Sequence, residues 1–130
     1  MGGSAEAGGL ADWGRFFIIG CCDYCMWRID GLEVYGKIKE LVVRVYGLIK
    51  GLPVEEKYAL ADQMRRAVVG VRIKMEEGSR KRTSKDFVSY LDASMGSLRE
   101  VRGCIETGID LGYFGEEGKK EVEEIKRIAQ

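Results

Sequence analysis

The sequence predicts an all-α protein, a bundle of four helices running up-down-up-down. Three observations carry that expectation. Apolar residues recur at helical spacing from Leu32 onward, and no alternating run is bounded by hairpin turns. Only one proline occurs in 130 residues, which leaves long helices uninterrupted. The periodic segments are joined by short Gly-, Pro- and Ser-containing breaks, the connections expected between antiparallel neighbours.

Each element can be justified in turn. Wound as a helix, Leu32–Lys50 gathers Val34, Tyr35, Ile38, Leu41, Val42, Val45, Tyr46, Leu48 and Ile49 on one broad face. Lys37, Lys39, Glu40 and Arg44 fall on the other side. Gly51-Leu52-Pro53 ends this helix, because proline lacks an N–H and disfavours helix in the residue before it. A second helix is expected from about Val54–Glu55, with Glu55 and Glu56 suited to the positive end of its dipole, and runs to about Glu77, where Gly78 stops it. Ser79–Thr83 is a short basic loop, after which Ser84 offers an N-cap oxygen supported by Asp86. The third helix extends to about Leu111, with Phe87, Tyr90, Leu91, Ser94, Leu98, Val101, Ile105 and Ile109 on one stripe and Gly112 closing it. A fourth, shorter helix from about Glu116 to Ala129 turns Val122, Ile125, Ile128 and Ala129 inward. The domain so defined spans residues 32–130.

Residues 1–31 differ. A glycine-rich start is followed by a stretch without clean periodicity, and it reads either as a docking segment or as upstream sequence ahead of a start at Met26. The longest apolar run, Phe16–Ile19, is far short of the roughly 20 residues that span a bilayer. Arg15 with FFIIG lacks the basic region and cleavage site of a signal peptide, so a cytoplasmic location with no membrane partner is expected. Cys21, Cys22 and Cys25 cluster, but a structural zinc site needs a further Cys or His pair. They read as free thiols of a reducing compartment, with a metal site shared between subunits as the alternative.

Composition narrows the chemistry. There is no histidine, which removes the usual general base and the commonest metal ligand. No Glu-x-x-His pair or glycine-rich phosphate loop appears either. The expectation is a protein with no catalytic residues, no metal and no cofactor. Lys+Arg and Asp+Glu both number 21, so any surface for a polyanion must be local.

The second helix supplies such a surface. Residues 65–85 hold Arg65, Arg66, Arg72, Lys74, Arg80, Lys81, Arg82 and Lys85 against Glu76 and Glu77, a local balance of 8 − 2 = +6. Opposite the core stripe of Leu60, Ala61, Met64, Ala67, Val68, Val71 and Met75 lie Val69 and Ile73, flanked by Arg65, Arg72 and Arg66. A helix in a monomeric bundle needs one apolar stripe, and arginine around aliphatic anchors is typical of subunit contacts. In the third helix Gly96 and Gly103, seven apart, share a line away from the core, although each interior glycine costs about 1 kcal/mol relative to alanine. Val69, Ile73, Gly96 and Gly103 are therefore the candidate self-association residues. In a ring the eight basic residues would repeat around the axis, and their summed field could hold phosphate backbones without reading bases.

These residues also resemble a known family. Leu32 with Tyr35, Pro53 with Glu56 and Tyr58, Leu60, the run Gln63-Met64-Arg65-Arg66-Ala67, Glu77-Gly78, Ser84 with Phe87, Leu91, and Gly96-Ser97 with Glu100 follow the order and spacing of four-helix proteins encoded in intervening sequences of bacterial 23S ribosomal RNA genes. That group includes the accessory variability determinants of diversity-generating retroelements, and the likeness covers about residues 32–114. The resemblance implies a homopentameric barrel without catalytic activity. In the retroelement branch it implies a reverse-transcriptase partner that binds RNA or an RNA/DNA hybrid, independently of sequence, through basic surfaces. The ribosomal branch would instead give a structural adaptor between proteins. Arg65 and Arg66 match the family's basic positions. Arg72, Lys74 and Gly70 depart from its commoner pattern, the first two by adding positive charge, and this favours the nucleic-acid-binding branch.

Overall fold

A computed structural model describes residues 33–81 and 83–129. Four α-helices account for most of them: α1 (Glu33–Lys50), α2 (Leu60–Gly78), α3 (Ser84–Asp110) and α4 (Glu116–Ala129). A single 3-10 turn, Val54–Glu56, lies between α1 and α2, and no strand occurs among the described residues. Helix α1 packs on α2 and α4, and α3 packs on the same two helices, so α1 and α3 are diagonal. Contacts between chain neighbours run in opposite senses. Tyr35 near the start of α1 meets Glu76 near the end of α2. Gln63 meets Glu100 across α2 and α3, and Gly118 of α4 lies against Ile109 of α3. These are the relations of an alternating four-helix bundle.

The core follows the sequence stripes closely. Ile38, Leu41 and Val45 of α1, Met64, Val68, Val71 and Met75 of α2, Phe87, Leu98, Val101 and Ile105 of α3, and Val122 and Ile125 of α4 form one buried cluster. Helices α2 and α3 come together through small residues. A Cβ on Gly78 would stand 2.8 Å from the Cβ of Tyr90, and the fully buried Ser94 donates its hydroxyl to the Val71 carbonyl at 2.9 Å. That bond satisfies a polar group that would be costly to bury alone.

Several boundaries differ from the sequence reading. Helix α2 begins at Leu60, not at Val54–Glu55. Pro53 starts the 3-10 turn instead, and the Glu56 carboxylate accepts from the Leu60 amide at 3.4 Å and from the Tyr113 hydroxyl at 2.8 Å. Glu56 thus ties the start of α2 to the α3–α4 connection, and that bond keeps the Tyr113 phenol protonated to higher pH than usual. Gly78 ends α2 without a left-handed backbone, since Gly112 is the only described glycine with positive φ. Its missing side chain serves the approach of α3. The N-cap of α3 is Thr83, not Ser84: the Thr83 hydroxyl accepts from the Asp86 amide at 3.1 Å. Thr83→Ala is expected to lower stability by about 1 kcal/mol, readable as a lower urea midpoint with unchanged slope.

The end of α3 matches its expected stop. Gly112 adopts φ 84°. Its amide reaches the Ile109 carbonyl at 3.0 Å, and the Tyr113 amide reaches the Gly108 carbonyl at 2.8 Å. This is the paired bonding of a Schellman cap, where glycine accepts the left-handed conformation at little cost. No described helix is long and apolar enough to cross a membrane.

Candidate nucleic-acid interface

Helix α2 presents its basic residues to three different surroundings, because successive positions on a helix turn by about 100°. Arg65 and Arg72 lie on the flank toward α1. Arg65 is half-buried beside Ile49, Leu52 and Pro53. The Arg72 Nε donates to the Tyr35 hydroxyl at 3.3 Å, and its guanidinium stands 5.8 Å from the Tyr35 ring centre. Tyr35 is itself buried and donates to the Glu76 carboxylate. Arg72 and Glu76, both on α2, thus meet through the Tyr35 hydroxyl of α1, while the Arg72 side chain stays exposed.

Lys74 points to the other flank. Its ammonium donates to Ser97 of α3 at 2.8 Å, so this lysine bridges two helices. Arg66 is exposed on the outer face and pairs along the helix with Asp62 at 2.9 Å, a contact worth a few tenths of a kcal/mol. In the loop, Lys81 lies over the Tyr90 ring at 4.7 Å and Arg80 is exposed, as is Lys85 in the first turn of α3. Arg82 lies outside the described residues. The structure thus brings Arg80, Lys81 and Lys85 to one end of the bundle with Arg72 close by in α2. It sets Lys74 into the helix packing and leaves Arg66 nearer the other end.

The self-association residues also separate. Val69 sits on the flank that α1 covers, half-buried against the edge of the core, and so differs from the outward position its helical angle suggested. Ile73 is 48% exposed. Gly96 and Gly103 are exposed, and a Cβ at either would meet nothing within 4 Å among the described residues. Gly108, the third interior glycine of α3, has an internal reason: an added Cβ would lie closer than 3.0 Å to the Phe114 ring.

Some features escaped the sequence reading. The Arg44 Nε lies 3.0 and 2.9 Å from the two carboxylate oxygens of Glu121, joining α1 to α4. No local pattern announces a pair 77 residues apart. The outer face of α1, with Gly36, Gly47 and the 72%-exposed Val43, has the character noted for α3, and the same wheel applied to α1 would have found it.

Among the described residues no group of three or more His, Cys, Asp or Glu is placed to hold a metal ion. Cys21, Cys22 and Cys25 lie outside them. Cys104 is half-buried, and burial, with Glu100 as a lesser cause, pushes its thiol up, which disfavours the nucleophilic thiolate. What these residues offer chemically is positive charge on α2, the loop after it and the first turn of α3.

No curated protein matches the chain at a significant level. The family model of the 23S rRNA-intervening sequence protein matches residues 30–130, most of the chain and all four helices. The protein belongs to the 23S rRNA-intervening sequence protein family.

Proposed function

We propose that this chain is a non-enzymatic, self-assembling protein of the cytoplasm that binds RNA or DNA through phosphate contacts, independently of sequence. Its most concrete role is as the accessory partner of a reverse transcriptase in a diversity-generating retroelement, assembled as a homopentamer. The observation that carries the binding is the run of exposed cations, Arg66, Arg72, Arg80 and Lys85, on α2, the α2–α3 loop and the first turn of α3 in a chain whose total charge is zero. The resemblance to the retroelement accessory proteins supports the partner and the subunit number.

The structure redirects the test to particular residues. Reversing Lys74 would disturb its bridge to Ser97, and reversing Arg72 would disturb Tyr35. Arg66, Arg80 and Lys85 can be reversed with little effect on packing, since all three are exposed. The triple variant Arg66→Glu/Arg80→Glu/Lys85→Glu should bind a labelled single-stranded RNA at least about 100-fold more weakly. Its dependence of log K on log salt should be shallower by about 2, since each phosphate contact to a single strand contributes about 0.7. An unchanged affinity, with helicity and thermal unfolding also unchanged, would remove this surface from the account.

A second reading has its own support. Arg66 is already paired with Asp62, and Ile73 and Val43 are exposed aliphatic groups. A structural adaptor between proteins would use those groups and leave nucleic acid alone. Salt-insensitive retention of a protein partner, without any shift of labelled RNA, would favour it.

A further inference from the structure

We propose that residues 13–19, WGRFFII, dock on this chain's own bundle, along the outer side of α1 and into the cleft between the end of α1 and the α3–α4 connection. This goes beyond the nucleic-acid reading above and stands independently of it.

Helix α1 leaves a short apolar strip uncovered. Val43 is 72% exposed with Tyr46 close by, and a Cβ at Gly36 or Gly47 would meet nothing within 4 Å among the described residues. Gly36, Val43 and Gly47 stand at i, i+7 and i+11, one line along the helix. At Gly47 the line meets a mostly apolar cleft of about 340 Å³, lined by Gly47, Leu48, Gly51, Tyr113 and Phe114. That volume falls within the range of ligand pockets. Glu117 also lines it, exposed and without an ion-pair partner among the described residues.

Composition, charge and reach name the occupant. Trp13, Phe16, Phe17, Ile18 and Ile19 place five large apolar side chains within seven positions, a density that is rarely left to water. Arg15 is the one charge among them and complements Glu117. A second apolar cleft, lined by Ile49, Leu52, Pro53 and Val54, carries Lys57 and Arg65, which would repel Arg15. Thirteen residues lead from Ile19 to Leu32, just ahead of α1. They can span up to about 43 Å, whereas the 18 residues of α1 rise only about 27 Å. The segment can therefore reach the far end of α1. A tether of this kind holds it at an effective concentration of the order of millimolar, which favours its own chain over a second copy.

Fluorescence of the full-length protein supplies the test. Both tryptophans, Trp13 and Trp27, lie in residues 1–31, so their emission reports on this stretch alone. Wild type is expected to show the short-wavelength emission of a buried indole and to resist quenching by acrylamide. Val43→Lys/Gly47→Lys changes two exposed positions and should shift the emission to that of a solvated indole with helicity retained. Tryptic cleavage after Arg15 should quicken at least about tenfold, as the undocked population rises. Phe16→Ser/Phe17→Ser should produce the same changes from the segment's side. Val88→Lys, at an exposed apolar position of α3, should leave the emission as it is. Solvated emission in wild type, or buried emission that Val43→Lys/Gly47→Lys does not alter, would overturn the proposal. So would emission that becomes solvated on dilution in step with a loss of mass by light scattering, because a second copy would then supply the cover.

Discussion

Gly108→Ala should lower the stability of this protein by about 3 kcal/mol, the upper end of the usual cost of overpacking. Phe114, 6% exposed, sits in a socket whose walls are Gly108 of α3 and Gly118 of α4. A methyl group on Gly108 would lie closer than 3.0 Å to two atoms of the ring, and a Cβ on Gly118 would stand 2.7 Å from the Phe114 Cβ. The ring is rigid and the residues around it belong to two helices, so little can move aside. Thermal unfolding should register the change as a fall of more than about 10 °C. The companion variant makes the cause specific. Phe114→Ala alone should cost about 3 kcal/mol through the cavity it leaves. Adding Gly108→Ala to it should then be neutral or favourable by up to about 1 kcal/mol, because helix propensity acts without the clash. Simple additivity of the two losses would show that the socket is not what requires glycine.

Arg44→Met should cost about 2 kcal/mol. It would leave Glu121, 9% exposed, without the guanidinium whose Nε reaches both carboxylate oxygens. The loss of one partner from a fully buried pair costs several kcal/mol, and the smaller figure reflects an Arg44 side chain that is 39% exposed. Replacing both residues, Arg44→Met/Glu121→Met, should recover most of the deficit, since the double change removes the uncompensated charge. Urea unfolding at neutral pH checks both variants. The neighbouring pair on α4 behaves differently. A hydrogen bond from Arg127 at 2.7 Å holds the Glu124 carboxyl below its ordinary range. Glu124 therefore adds a small stabilisation that is present at neutral pH, above its unfolded-state value, and is lost as the pH falls through the folded-state one.

Much of the bundle was legible because its helices obey one period. The stripes of α1, α3 and α4 became core nearly residue for residue, and Gly112 behaved as a helix-closing glycine must. Two boundaries were missed for local reasons. Pro53 permitted either an immediate helix or a 3-10 turn, and the choice depended on Glu56 meeting Tyr113, a residue 57 positions away. Thr83 and Ser84 are both good caps, and no local rule ranks adjacent hydroxyls.

The candidate surfaces were less legible than the fold. A run of eight cations reads as one patch in sequence, but a helix distributes such a run around its circumference. Lys74 turned toward Ser97 and Arg72 toward Tyr35, contacts set by which helices become neighbours. Val69 shows the same limit, because its burial depends on where α1 lies and not on α2 alone. Gly108 is an interior glycine of α3 whose reason, the Phe114 ring over it, lies beyond its own helix. Single-helix wheels identify exposed positions well only where no second helix overlaps the flank.

The proposed function requires that this protein hold nucleic acid by charge. Its most direct test is the affinity of wild-type protein for a labelled single-stranded RNA, and for a second RNA of unrelated sequence, measured across a range of salt. Both RNAs are expected to bind alike, with log K falling linearly with log salt at a slope of about −0.7 per phosphate contact. Binding that is absent at low salt, or indifferent to salt, would contradict it.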